Sequence, residues 1–258
     1  MGNKVNQNLT VVITAYNNQD TIADAVENAK LLTDNVTVVD IGSVDKTADF
    51  AGKAGANILA LPFTSYVEPV RETSIKNAAT DWVLVLDSDE RVTDDLVQEI
   101  KKTIVRGDFT YYKIPRKNIF GNKKWLKYGA WWPDYQIRLI NRNFFVNWPK
   151  EIHSTPVIKG EVGLLNNPLL HYFHGDIESM VKKTIVFENI ESDLLLRNNK
   201  PASTITFFRK YLGELNRRLF MGLGFMDGII GIIEAIYQAF SKTITYLYLY
   251  EKKNSRSI

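Results

Sequence analysis

The sequence predicts an α/β fold in which a mainly parallel sheet is flanked by helices, followed by a helical C-terminal extension. Three observations carry this: short β-branched runs alternate with helix-spaced apolar residues from Leu9 to about Ile114, those runs are apolar almost throughout, and beyond Asp176 only helical spacing remains. The strands are Thr10–Ala15, Val36–Asp40, Asn57–Leu61, Trp82–Leu86 and Tyr111–Ile114. Between the first two, Ile22, Ala25, Val26, Ala29 and Leu32 recur on one helical face, with Asn18 or Asp20 placed to cap it. Asp45–Ala54, Glu68–Ala79 and Thr93–Val105 are the next helices. For the last of them Thr93 or Asp94 is the cap, and Glu90, Asp94 and Asp95 read as acids favoured by its N-terminal dipole.

Residues 115–175 lose the alternation and gather Trp125, Trp131, Trp132, Pro133, Trp148 and Pro149, which reads as loops and short strands. Such aromatics either form a satellite cluster or face the apolar sides of sugar rings. Past them, Ile177–Arg197, Ser203–Phe220 and about Phe225–Tyr250 read as helices. In the last one Asp227, Gly231, Glu234, Gln238 and Lys242 share a narrow arc and most other positions are apolar. Its charge-free runs are 6, 7 and 8 residues, far short of the roughly 20 that cross a bilayer. It is either buried in a helical subdomain or lies in a membrane interface.

At 258 residues with 45% apolar and 24% charged, the chain is one large domain or one with a small appendage, which excludes a disordered or disulfide-stapled protein. The absence of cysteine removes thiolate nucleophiles and Cys-based metal sites and fits a reducing compartment. The polar start MGNKVNQN argues against an export signal, so a cytoplasmic location is expected. The net charge of +3 is too mild to argue for nucleic acid, but residues 1–196 carry −3 and residues 197–258 carry +6. A basic tail is either a solvated face or a contact for an anionic surface such as phospholipid.

In a parallel sheet the ligand sits at the carboxyl ends of the strands. Here these ends read Thr14-Ala15-Tyr16-Asn17, Asp40-Ile41-Gly42-Ser43 and Asp87-Ser88-Asp89-Glu90. No GxxxxGK[ST] is present, and no GxGxxG opens a helix after the first strand, which disfavours a P-loop kinase or nicotinamide dehydrogenase. With 16 Asp in the chain, one D-x-D triplet is expected about once by chance. Position gives this one weight, because residues i and i+2 of extended chain point the same way. Asp87 and Asp89 can then converge on one Mg²⁺ or Mn²⁺, completed by water and phosphate oxygens.

The stretches TVVITAYNNQDTI, VTVVDIGSVDKT, ATDWVLVLDSDERVT and WWPDYQIRLINR, then EIH, LLHYFH and a late GFMDG, resemble glycosyltransferase family 2, with the nucleotide-diphospho-sugar transferase (GT-A) fold. They are most similar to the bacterial branch that builds lipopolysaccharide core and related surface glycans. The resemblance implies a catalytic domain over 1–176, with a nucleotide-sugar half at 1–114 and an acceptor half at 115–176, ahead of a helical region at 177–258. It implies hexosyl or heptosyl transfer from a nucleotide-diphospho-sugar, UDP-sugar favoured, to a glycan or glycolipid acceptor, with a membrane surface met through residues 203–250 at the inner face of the cell membrane. By resemblance Thr14, Ala15 and Tyr16 line the nucleobase pocket, Asp40 faces the nucleoside, and Arg71, Ser88 and Arg138 belong to the nucleotide-sugar site. Asp87 and Asp89 match the metal-binding D-x-D, His171 a third ligand of some relatives, and Asp134 the inverting base.

Ile41 stands where many relatives carry a second Asp, and Ser154 where close relatives carry Glu after His153. The bottom-up chemistry agrees with the assignment, since such a transfer needs a cation for the departing phosphate and a base for the acceptor hydroxyl. Asp134 could instead pair with Arg138 at i+4, and His153, His171 and His174 read as ligands or as structural histidines alike. Two other readings stay open: a nucleotidyltransferase, and a non-catalytic nucleotide-sugar-binding partner on the membrane.

Overall fold

A computed structural model describes residues 8–121, 123–173 and 177–255; His174 lies outside them. The elements run β1 (Leu9–Ala15), α1 (Ile22–Ala29), β2 (Val36–Asp40), α2 (Thr47–Lys53), β3 (Asn57–Ala60), α3 (Glu68–Lys76), β4 (Trp82–Asp87), β5 (Glu90–Val92) and α4 (Asp94–Arg106). Then follow β6 (Tyr111–Phe120), β7 (Lys124–Trp125), β8 (Asp134–Asn141), β9 (Phe145–Asn147), β10 (Val157–Ile158), β11 (Val162–Leu164) and β12 (Leu169–His171). Three long helices close the chain: α5 (Ile177–Arg197), α6 (Thr204–Asn216) and α7 (Ile229–Asn254). The chain divides into two compact units, one of residues up to Arg116 with Tyr135–His171, the other of Lys117–Asp134 with residues from Tyr172 onward.

In the first unit β3, β2, β1 and β4 lie side by side and parallel, as the alternation predicted. Their side chains part by the two-residue period of extended chain. Val11, Ile13, Val36, Val38, Leu84 and Leu86 meet Ile22 and Val26 of α1 and Leu96 and Ile100 of α4. Val12, Val39, Val83 and Val85 meet Val70 and Ile75 of α3 on the other face. Thr93 caps α4 by accepting from the Leu96 N–H at 3.2 Å, and Gly107 ends it in the left-handed region that glycine adopts without strain. The cap of α1 differs from expectation: Thr21 occupies the position, while the Asn18 side chain accepts from the Tyr16 N–H and from Ser88.

Beyond β4 the sheet continues as β8, β6, β12 and β5, and β4 and β8 are antiparallel. The region read as loops and short strands thus contains an eight-residue strand, β8, whose Arg138, Leu139 and Ile140 are buried. A charged residue in the middle of the run hid its apolar character.

In the second unit α7 packs against α5 and α6 with its polar and small residues inward. Gly231, Glu234, Ala235, Ala239 and Thr245 are buried, while Ile229, Ile232, Ile236, Phe240 and Leu247 are exposed. No helix among the described residues is long and apolar enough to cross a membrane.

Candidate active site

Register alone assembles the carboxyl edge of the first unit. Ala15 pairs with Asp40 across β1 and β2, and Thr14 pairs with Asp87 across β1 and β4. Asp40 is buried and accepts from the Ser43 N–H at 3.1 Å, which closes the turn at Gly42, where φ is +81°. The Tyr16 ring, 40% exposed, lies 4.9 Å from that of Phe63. Two loops are tied together beneath it: the Asn17 N–H donates to Ser43 Oγ, the Val44 N–H to Asn17 Oδ1, and the Asn18 N–H to Thr47 Oγ1. Sequence reading placed Asn17 at this strand end and Asn18 as a helix cap, but not in these ties between the two loops.

Asp87 is held between two guanidinium groups. Arg71 Nη2 lies 2.6 Å from Oδ1, and Arg138 Nη2 lies 2.6 Å from Oδ2. Burial opposes the charge on Asp87, but Arg138, then Arg71 and Arg116, outweigh it and keep the carboxyl far below the ordinary carboxylate range. Burial likewise works against the Arg138 cation, which Asp87 and Glu90 hold above its ordinary value. Arg71 also stacks on Trp148 at 5.1 Å, and its Nη1, like Thr14 Oγ1 and Arg138 Nε, is buried without a hydrogen-bond partner. The alternative i+4 pairing of Asp134 with Arg138 does not form, because these residues lie on a strand and Arg138 turns to Asp87 and Glu90.

Glu90 is a second correction. It is fully buried, accepts from Arg138 at 2.7 Å and Arg116 at 3.1 Å through Oε1, and takes the Asp87 N–H at 3.0 Å through Oε2. It joins the strand-end network instead of serving the α4 dipole. A buried carboxylate between two arginines is costly to leave half-paired, about 3–5 kcal/mol.

Asp89 faces a different partner. Antiparallel pairing of β12 with β5 sets His171 opposite Glu90, and His171 Nε2 lies 3.6 Å from Asp89 Oδ1. Their side chains are 15% and 31% exposed, while Asp89 Oδ1 itself is buried against the imidazole. Among the described residues no three His, Cys, Asp or Glu side chains gather as a metal-binding group. His153 sits apart, its backbone at φ +61° and its N–H donating to Glu68.

In the second unit, Asn118 Nδ2 donates to Asp134 Oδ2 at 3.1 Å and to the Trp131 carbonyl at 3.2 Å, fixing the head of the PDYQIRL stretch. The Trp125 and Trp132 rings meet edge to face at 5.4 Å. The late GFMDG stretch acquires a role that its sequence did not reveal. Buried Asp227 accepts the Lys127 and Tyr128 N–H groups, each at 2.8 Å, and Arg218 donates to the Gly129 carbonyl. A side chain on Gly224 would collide with the Arg218 carbonyl, and Gly228 adopts φ +73°, ψ −153°, open only to glycine.

The chain is 27% identical over 253 residues to an uncharacterized glycosyltransferase of Rickettsia conorii, covering 92% of this chain and 89% of the relative. An uncharacterized glycosyltransferase of Rickettsia typhi is 26% identical over 91% of this chain and 84% of its own. In fold it is similar to S. aureus TarS 1-349 in complex with UDP, with a TM-score of 0.50 and 12% identity, covering 97% of this chain and 92% of that one. The fold is therefore GT-A, and with the Glycosyl transferase family 2 profile matching residues 10–161, the chain belongs to glycosyl transferase family 2.

Proposed function

We propose that this glycosyltransferase is metal-dependent and inverting, and moves a hexosyl or heptosyl group from a nucleotide-diphospho-sugar to a lipid-linked or cell-surface glycan at the cytoplasmic face of the bacterial membrane. The observation that carries the reading is the carboxyl edge of β1, β2 and β4, where Asp40, Thr14 and Asp87 come into register beside Asp89 and His171. UDP is the favoured nucleotide, supported by the protein of like fold crystallised with UDP and with UDP-GlcNAc. Residues 1–114 then serve the donor and 115–176 the acceptor, with 177–258 as the helical region.

The donor set fits Mg²⁺ or Mn²⁺: one carboxylate oxygen and one imidazole nitrogen 3.6 Å apart, leaving the remaining positions to water and diphosphate oxygens. When bound, such an ion stabilises the negative charge that grows on the leaving diphosphate. Asp89 and His171 are the proposed ligands. Asp87, with both oxygens engaged by arginine, acts instead by holding Arg71 and Arg138 at the edge. The unpartnered Arg71 Nη1 is a donor suited to a phosphate oxygen. Thr14, Ala15 and Tyr16 serve the base, Asp40 the nucleoside, and Ser88 the strand-end turn.

Asp134 is the proposed base, removing the acceptor hydroxyl proton as the nucleophile attacks opposite the leaving group. Its Oδ2 is oriented by Asn118, and such a base contributes about 10²–10⁴-fold. The test is a donor screen, in which UDP-, GDP- and CDP-sugars are incubated with Mn²⁺ and release of nucleoside diphosphate is followed. Metal-dependent release from one of them supports the reading. Failure of all three, with the fold intact, would favour the non-catalytic partner.

A further inference from the structure

We infer that the face presented by the α6–α7 turn and the outer side of α7 is a docking surface for an anionic phospholipid bilayer, with α7 lying in the plane of the interface. Amphipathic helices of water-soluble proteins turn their large apolar residues inward, and α7 leaves most of its own outside. Its buried side carries Glu234, Ser241, Thr243 and Thr245 beside Ala235, Ala239, Tyr246 and Leu249, whereas the large apolar Ile229, Ile232, Ile236, Phe240, Leu247 and Tyr250 are exposed, Ile229 by 76%. These positions recur at helical spacing from Ile229 to Phe240, a stripe about 17 Å long, and exposed apolar residues resume at Leu247 and Tyr250 beyond the buried Thr243. The turn extends it: Phe220, Met221, Phe225 and Met226 are exposed, Met221 by 74%. A contiguous apolar surface of this size marks an interaction site.

Charge decides the occupant. Residues 197–258 carry +6, and Arg209 and Arg217 on α6 and its C-terminal extension are exposed. A second copy would set two like-charged regions against each other, whereas phosphodiester headgroups complement them at about 1 kcal/mol per basic residue near the surface. The helix is too charged to span the bilayer, so it lies along it. This inference deepens the membrane part of the proposed function and is independent of the donor chemistry.

Sedimentation with vesicles tests it in the absence of donor and acceptor, so that an error about sugar transfer leaves the result standing. The protein is expected to pellet with phosphatidylcholine vesicles doped with phosphatidylglycerol and far less with phosphatidylcholine alone. Ile236→Glu with Phe240→Glu lowers the partition at least about tenfold while circular dichroism is unchanged, and Phe240→Trp, which keeps the face apolar, binds as the wild type does. Arg209→Glu weakens binding to the doped vesicles only. Absence of vesicle binding, or binding indifferent to the double variant, overturns the inference. So does a wild-type dimer in size exclusion that the double variant dissolves without any vesicle binding, which assigns the face to a second copy.

Discussion

Glu234 is the residue whose replacement is expected to stabilise the protein. It is fully buried on α7, Gln238 donates to its Oε1 at 2.7 Å, and Oε2 has no hydrogen-bond partner. Burial pushes its carboxyl up to about 7, against the opposing pull of Gln238 and Arg218. Between the unfolded value of 4.5 and about 7 the folded chain binds the extra proton, so the contribution of this group to stability falls as pH rises through that window and then levels off. Holding the carboxylate ionised in the folded chain then costs about 3 kcal/mol at pH 8. Glu234→Gln keeps the shape and the acceptor for Gln238, and its amide NH₂ takes the place of the protonated acid's hydroxyl. The variant is therefore expected to melt with the wild type near pH 5 and several degrees above it at pH 8, about 2–4 °C per kcal/mol for a chain of this size. Equal melting temperatures at both pH values, or a variant less stable at pH 8, would refute the reasoning.

Three further outcomes are expected. Glu90→Gln leaves Arg116 and Arg138 short of their shared carboxylate and should lower stability in urea by about 3–5 kcal/mol; a loss under 1 kcal/mol would mean that the network is worth little. Asp134→Asn should leave donor affinity unchanged and reduce transfer by about 10²–10⁴-fold, and Asn118→Ala should lower kcat by a smaller factor; an Asp134→Asn rate equal to that of the wild type would remove Asp134 from the chemistry. Asp227→Ala strips the acceptor from the Lys127 and Tyr128 amides, costing about 2 kcal/mol or more and speeding hydrogen exchange at those two positions first.

What the sequence revealed follows from how local each signal is. The strands β1, β2 and β4 are continuous apolar runs flanked by polar residues, and their ends place Asp40 and Asp87 on one edge without any knowledge of distant contacts. The strand β8 escaped because Arg138 interrupts its apolar pattern, and the reason it can be buried, Asp87 and Glu90, lies 51 and 48 residues away. Glu90 was misread for the same cause: a local explanation, the start of α4, was at hand, and its true partners are remote. In α7 periodicity defined two faces but could not say which one packs. Asp227, just ahead of the helix, is drawn inside the second unit by the Lys127 and Tyr128 amides, partners about 100 residues away that periodicity cannot reveal.

The most direct test of the central claim is calorimetric titration of UDP with and without Mn²⁺, in the wild type and in Asp89→Asn. Asp89 is partly exposed at a strand end, so the variant is expected to fold normally. If Asp89 and His171 hold the cation, Mn²⁺ should tighten UDP binding at least about tenfold in the wild type and leave the variant unaffected. An equal enhancement in both proteins would contradict the account.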